Sequence, residues 1–173
     1  MKKKLIILIG VMATNMIKAQ TTIYDACRKG DLSRVRELIM ETTDLVNQRD
    51  PMGFSPLILA VYNDRPKVVE LLIQAGADVN AYDKFGNTAL MGAIFKGYLH
   101  QVETLVEAGA DVNQQNYNKA TALTFAATFG GEELAKLLMK AGGDPSIKDN
   151  QGKTPLDHAI FQGNNAVVAV FMN

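Results

Sequence analysis

Residues 83–115 read DKFGNTALMGAIFKGYLHQVETLVEAGADVNQQ, and the same 33-residue phrase recurs on both sides of them. Counting in steps of 33 from Asp50 gives Asp83, Asn116 and Asp149; from Leu57 it gives Leu90, Leu123 and Leu156; from Ala60 it gives Ala93, Ala126 and Ala159. Three columns that agree at one offset mark a stack of equal structural units, because stacked architectures ask for the same residue at a constant period.

The punctuation inside each unit shows what is being stacked. Ser55, Thr88, Thr121 and Thr154 place a hydroxyl where it can accept from the free N–H groups of a first helical turn. Pro56 and Pro155 follow directly, at the position where a helix best tolerates proline. Gly76, Gly109 and Gly142 close apolar runs such as Leu71-Leu72-Ile73-Gln74-Ala75 and supply the left-handed residue that ends a helix. These limits predict two short helices per unit, roughly 55–62 and 66–74 in the first full unit, with a turn at Asn63-Asp64. Alanine along the first helix lets neighbouring units approach closely.

The phrases Gly86-Asn87-Thr88-Ala89-Leu90 and Gly152-Lys153-Thr154-Pro155-Leu156, with Ala75-Gly76-Ala77-Asp78-Val79-Asn80 and Ala108-Gly109-Ala110-Asp111-Val112-Asn113, resemble the ankyrin-repeat family over residues 21–173. The resemblance extends to small exported bacterial members. It implies an all-α solenoid of stacked helix-turn-helix units at about 21–49, 50–82, 83–115, 116–148 and 149–173. Hairpin loops would project near Asp50, Asp83, Asn116 and Asp149. Two departures stand out. Lys119 occupies the column of Gly53, Gly86 and Gly152, so its hairpin must manage without glycine or turn differently, at a cost of about 1 kcal/mol. The family's histidine after the helix start is replaced by Ile58, Met91, Thr124 and Asp157, which removes a hydrogen-bond network and puts local rigidity in question.

The N-terminus belongs to a different pattern. Lys2, Lys3 and Lys4 precede the apolar run Leu5 to Ala13, the layout of a signal peptide and too short for a bilayer span. Residues 1–19 are expected to be removed, with cleavage after Ala19 or after Gln20, leaving a domain over 20–173; the alternative is an amphipathic first helix. Loss of Lys2, Lys3, Lys4 and Lys18 would leave 14 basic against 18 acidic residues, a net charge of −4. That balance disfavours nucleic acid as a partner. A periplasmic or secreted protein without stable membrane insertion is expected.

Nothing in the residue inventory asks for a catalyst, a metal or another cofactor. The single cysteine, Cys27, cannot form an internal disulfide, and it stands 33 residues before Ala60, in the small-residue packing column. His100 and His158 are not repeated, and neither has a cysteine or carboxylate at ligand spacing. The glycines are punctuation at the repeat period, not a phosphate loop.

The aromatic residues point to a binding role. Tyr62, Phe95, Phe129 and Phe161 fall late on first helices, while Phe54, Tyr82, Phe85 and Tyr117 fall on the loops. These eight of the chain's twelve aromatics lie where packing within the stack does not demand them. Aromatic side chains left in water are characteristic interface anchors. Polar neighbours, Lys96 among them with Asn63, Lys84, Asn118 and Gln162, supply a mixed rim. By the resemblance, these positions form a concave groove for another protein, one in the cell envelope that the chain sequesters, inhibits or protects. A toxin met by an immunity factor and a shielded antioxidant enzyme are two such partners. The alternative is a scaffold subunit that self-associates through Ala166-Val167-Val168-Ala169-Val170-Phe171-Met172, where Val167, Val170 and Phe171 share the packed side and Val168 and Met172 face the open end.

Overall fold

A computed structural model of the protein describes residues 22–172; the export segment expected at 1–19 lies outside them. Among the described residues the chain forms ten α-helices, one short 3-10 helix at Thr43–Val46, and no strand. The helices alternate in two layers. The inner layer holds α1 (Ile23–Lys29), α3 (Pro56–Tyr62), α5 (Ala89–Lys96), α7 (Ala122–Phe129) and α9 (Pro155–Phe161). The outer layer holds α2 (Leu32–Glu41), α4 (Pro66–Gln74), α6 (Leu99–Glu107), α8 (Glu132–Lys140) and α10 (Asn165–Met172). Each helix packs on its counterpart in the next unit, so the units form a single file.

Helix limits follow the hydroxyl and glycine columns. The side chains of Ser55, Thr88, Thr121 and Thr154 accept from the N–H three residues on, at 3.2 to 3.4 Å. At the far end of α4, the Ala77 N–H donates to the Leu72 carbonyl at 2.9 Å and the Gly76 N–H to Ile73 at 3.0 Å. That pair of bonds needs Gly76 at φ 86°, a left-handed geometry natural for glycine. At the replaced histidine column, Thr124 and Asp157 bond back to the N–H of Thr121 and Thr154, completing capping boxes on α7 and α9. Part of the missing network is thus rebuilt locally.

The Leu57, Leu90 and Leu123 column is at most 1 % exposed, and Ala60, Ala93, Ala126 and Ala159 are fully covered. Each such leucine contributes about 1.5–3 kcal/mol of burial, while the alanines set how closely the inner helices approach. Cys27 is fully buried in the same column, as its spacing indicates.

A second set of contacts ties the outer loops together. The Asn47, Asn80 and Asn113 side chains, again 33 apart, accept from the N–H of Asp78, Asp111 and Asp144 in the following unit at 2.7 to 2.8 Å. Asn47 and Asn113 also donate to the carbonyls of Gly76 and Gly142 at 3.0 and 2.9 Å. Ser146 stands next in this column and bonds the Asp144 of its own loop at 2.7 Å.

The last unit departs from expectation at one residue. Val168, expected at the open end, is half-buried with Val170 and Phe171 around fully covered Val167, because α10 docks on both α8 and α9 and so needs a broad apolar face. Met172 is exposed, and so are Ile160 and Phe161 at the end of α9.

Candidate functional site: the concave face and hairpin edge

Each projecting hairpin is built around one polar side chain. Asp83 Oδ1 accepts from the N–H of Phe85 at 2.8 Å and of Asn87 at 2.9 Å, and the same two bonds recur at Asp50, Asn116 and Asp149. This column therefore staples turns. Successive tips are then joined by backbone: the Tyr117 N–H donates to the Phe85 carbonyl at 3.1 Å, and the Asn150 N–H to the Asn118 carbonyl at 2.9 Å. Lys119 adopts φ 58°, and its N–H meets the Asn116 carbonyl at 2.8 Å, the geometry that glycine holds in the other hairpins. Of the two outcomes open from the sequence, the hairpin keeps its turn without glycine.

Six of the eight aromatics named from the sequence are exposed: Tyr82, Phe85, Phe95, Tyr117, Phe129 and Phe161. Lys96 is exposed at the end of α5. Phe95 and Phe129 form an edge-to-face pair with centroids 5.1 Å apart, each remaining about half exposed at 49 % and 54 %. Phe125 lies against Phe129 at 5.9 Å. Tyr82 and Tyr117 form another edge-to-face pair across two hairpins at 6.1 Å. Beside the phenylalanine pair an open cavity of about 530 Å³ is lined by Phe125, Asn116, Asn118, Thr128 and His158 as well.

Phe54 and Tyr62 are less exposed than the other six, although Tyr62 lines the same cavity as the phenylalanine pair. Both are half-buried against the core and contact one another edge to face at 6.2 Å. Tyr62 lies over Gly92, where a Cβ would sit a tight 3.1 Å from the ring and the ring would have to shift by a few tenths of an ångström. Burial first, and the nearby Asp83 carboxylate second, push the Tyr62 hydroxyl above its ordinary range. Packing does demand these two rings.

The titratable groups give little chemistry. Burial pushes the Cys27 thiol up to about 12, only partly offset by Arg28, so it stays protonated at neutral pH. His158 does have a carboxylate partner, contrary to the spacing argument: its Nε2 lies 2.7 Å from Asp149 Oδ2, nine residues away, because the hairpin folds Asp149 back over α9. Burial works to raise the Asp149 carboxyl, but the bonds from His158, Lys153 and Gln151 outweigh it and hold the group below its usual range. The pair orients the last hairpin. Among the described residues, no group of three His, Cys, Asp or Glu is placed to hold a metal ion.

Two features escaped the residue-by-residue reading. One is the asparagine column at 47, 80 and 113, whose signal is the repeat period itself. The other is the set of cations parked on exposed rings: Arg49 over Tyr82 at 4.6 Å, and Lys84 over Phe85 and Lys153 over Phe161 at 5.1 Å each. Those contacts have no sequence signature, since the partners' approach depends on loop geometry.

A family model of three tandem ankyrin repeats matches residues 3–83, 23–116 and 90–173. No curated protein matches the chain.

Proposed function

The chain belongs to the ankyrin-repeat family, whose repeats generally mediate protein–protein binding, and from that premise we propose that it is a non-catalytic module that grips another protein through its concave aromatic face. The Lys2-Lys3-Lys4 and Leu5-to-Ala13 layout supports export to the cell envelope, and on this reading the chain sequesters, inhibits or protects a partner there. No described helix is long and apolar enough to cross a membrane.

The observation that carries the reading is the Phe95–Phe129 pair. Two rings stand about half exposed beside an open cavity, each in contact with the other. Such rings are the residues from which interfaces draw most of their affinity, about 2 kcal/mol or more each. The test uses the whole chain as bait in a native envelope extract, followed by affinity measurement with the captured partner. Phe95→Ala with Phe129→Ala should weaken binding by at least about tenfold while the melting temperature barely changes. Early melting of the double variant would assign the pair to the core and remove the main support.

A further inference from the structure

Exposed charge on the hairpin side is of one sign, whereas the outer helices mix exposed acids with Arg36, Lys67, Lys136 and Lys140. Arg49, Lys84, Lys119 and Lys148 are exposed on the hairpins, and Lys153 is half-buried there. The acids of the same hairpins are turned inward: Asp50 and Asp83 are buried, Asp50 Oδ2 bonds Arg28 at 2.8 Å, and Asp149 is engaged by His158. On the outer helices Glu70, Glu103, Glu107, Glu132 and Glu133 are all exposed. The hairpin edge is therefore cationic on a chain whose formal net charge is zero.

This edge also pairs each kind of contact. Arg49, Lys84 and Lys153 lie over the rings of Tyr82, Phe85 and Phe161, so charged heads and apolar faces occur together along it. A carboxylate can meet the head while the stem of its side chain lies on the ring. Three of the four tips are joined by backbone bonds, from Phe85 to Tyr117 and from Asn118 to Asn150, which keeps them in line.

We propose that the hairpin edge receives an extended acidic segment of the partner protein, with carboxylates recurring every third residue. The register follows from two lengths. Neighbouring inner helices, and the tips they carry, repeat at about 8–10 Å. An extended chain advances about 3.3 Å per residue, so three residues match one unit. The four hairpins accommodate a segment of about ten residues. This deepens the reading above, on which it rests, by naming the chemistry that lies beside the aromatic groove.

The probe is a set of fluorescent ten-residue peptides of one composition, with glutamates at every third position, at every second position, or clustered at one end. Anisotropy is measured against the intact chain, with a ten-nucleotide oligothymidine as a further probe. The three-residue isomer should bind at least about tenfold tighter than the clustered one and weaken as salt is raised. Lys84→Gln with Lys119→Gln should remove that preference without changing the melting temperature. Lys67→Gln with Lys140→Gln, which takes the same charge from the outer helices, should preserve it. Equal binding by all isomers, tighter binding of the oligonucleotide, or an unaffected Lys84→Gln, Lys119→Gln variant overturns the proposal. If that variant still binds the captured partner while the phenylalanine double variant does not, this inference fails and the groove reading stands.

Discussion

Lys119 holds a left-handed backbone, φ 58°, in a turn where three other hairpins use glycine at φ 74° to 85°. The turn survives because Asn116 Oδ1 staples it through the N–H groups of Asn118 and Ala120, at 2.9 and 3.0 Å. A side chain in that region costs about 1–2 kcal/mol, and glycine gives part of it back through its greater freedom in the unfolded chain. Lys119→Gly should therefore stabilise the protein by about 0.5–1 kcal/mol, read as a shift of the urea midpoint at constant slope. The reverse change at Gly86 has no such room, since a Cβ there would lie 2.7 Å from the Tyr117 nitrogen. The substitution at 119 is legible in the sequence, but which turn it takes is not, because φ depends on how the staple and the neighbouring tip share the strain. Burial depth was hidden in the same way. The repeat column places Tyr62 and Phe95 at one helical position, yet Tyr62 lies over Gly92 across the interface and is half-buried against the core, while Phe95 is exposed beside Phe129.

Helices were the readable elements because their caps are local: a hydroxyl and the N–H three residues later lie in one stretch of chain, as Ser55 and Ile58 do. The asparagine rungs are not local. Asn113 bonds the Gly142 carbonyl and the Asp144 N–H, 29 and 31 residues away, so only the stacked structure shows what the column is for. Asn113→Ala should cost about 1–2 kcal/mol, on the low side for a pair of bonds because Asp144 is exposed and water can replace the lost partner. Hydrogen exchange would localise the effect: the Asp144 amide should exchange faster while that of Asp78, held by Asn47, keeps its rate. Uniform acceleration at both amides would mean that the rung supports the whole stack and not one junction.

At the scale of the molecule, every unit leans chiefly on its neighbours, and among the described residues the unit at 149–172 packs on one. Its exposed Ile160, Phe161 and Met172 invite the idea of a dimer. Three side chains of up to about 200 Å² each fall short of the roughly 800 Å² per partner that a stable interface buries. Light scattering should accordingly give a monomer for the parent and for Ile160→Lys with Met172→Lys. A dimeric mass in the parent that the variant halves would instead establish self-association through this end. The single file was legible from the 33-residue period, whereas the docking of Val168 was not, because α10 meets two helices and one helical wheel shows one face. Ser146 adds a different kind of information. It occupies the place of a fourth asparagine and bonds its own Asp144. A duplicated unit inserted between residues 50 and 115 would find an asparagine waiting on both sides, while one copied behind Ser146 would join by helix packing and hairpin bonds alone. The array is thus better prepared to lengthen between residues 50 and 115, where each junction carries an asparagine rung, than behind the Ser146 loop.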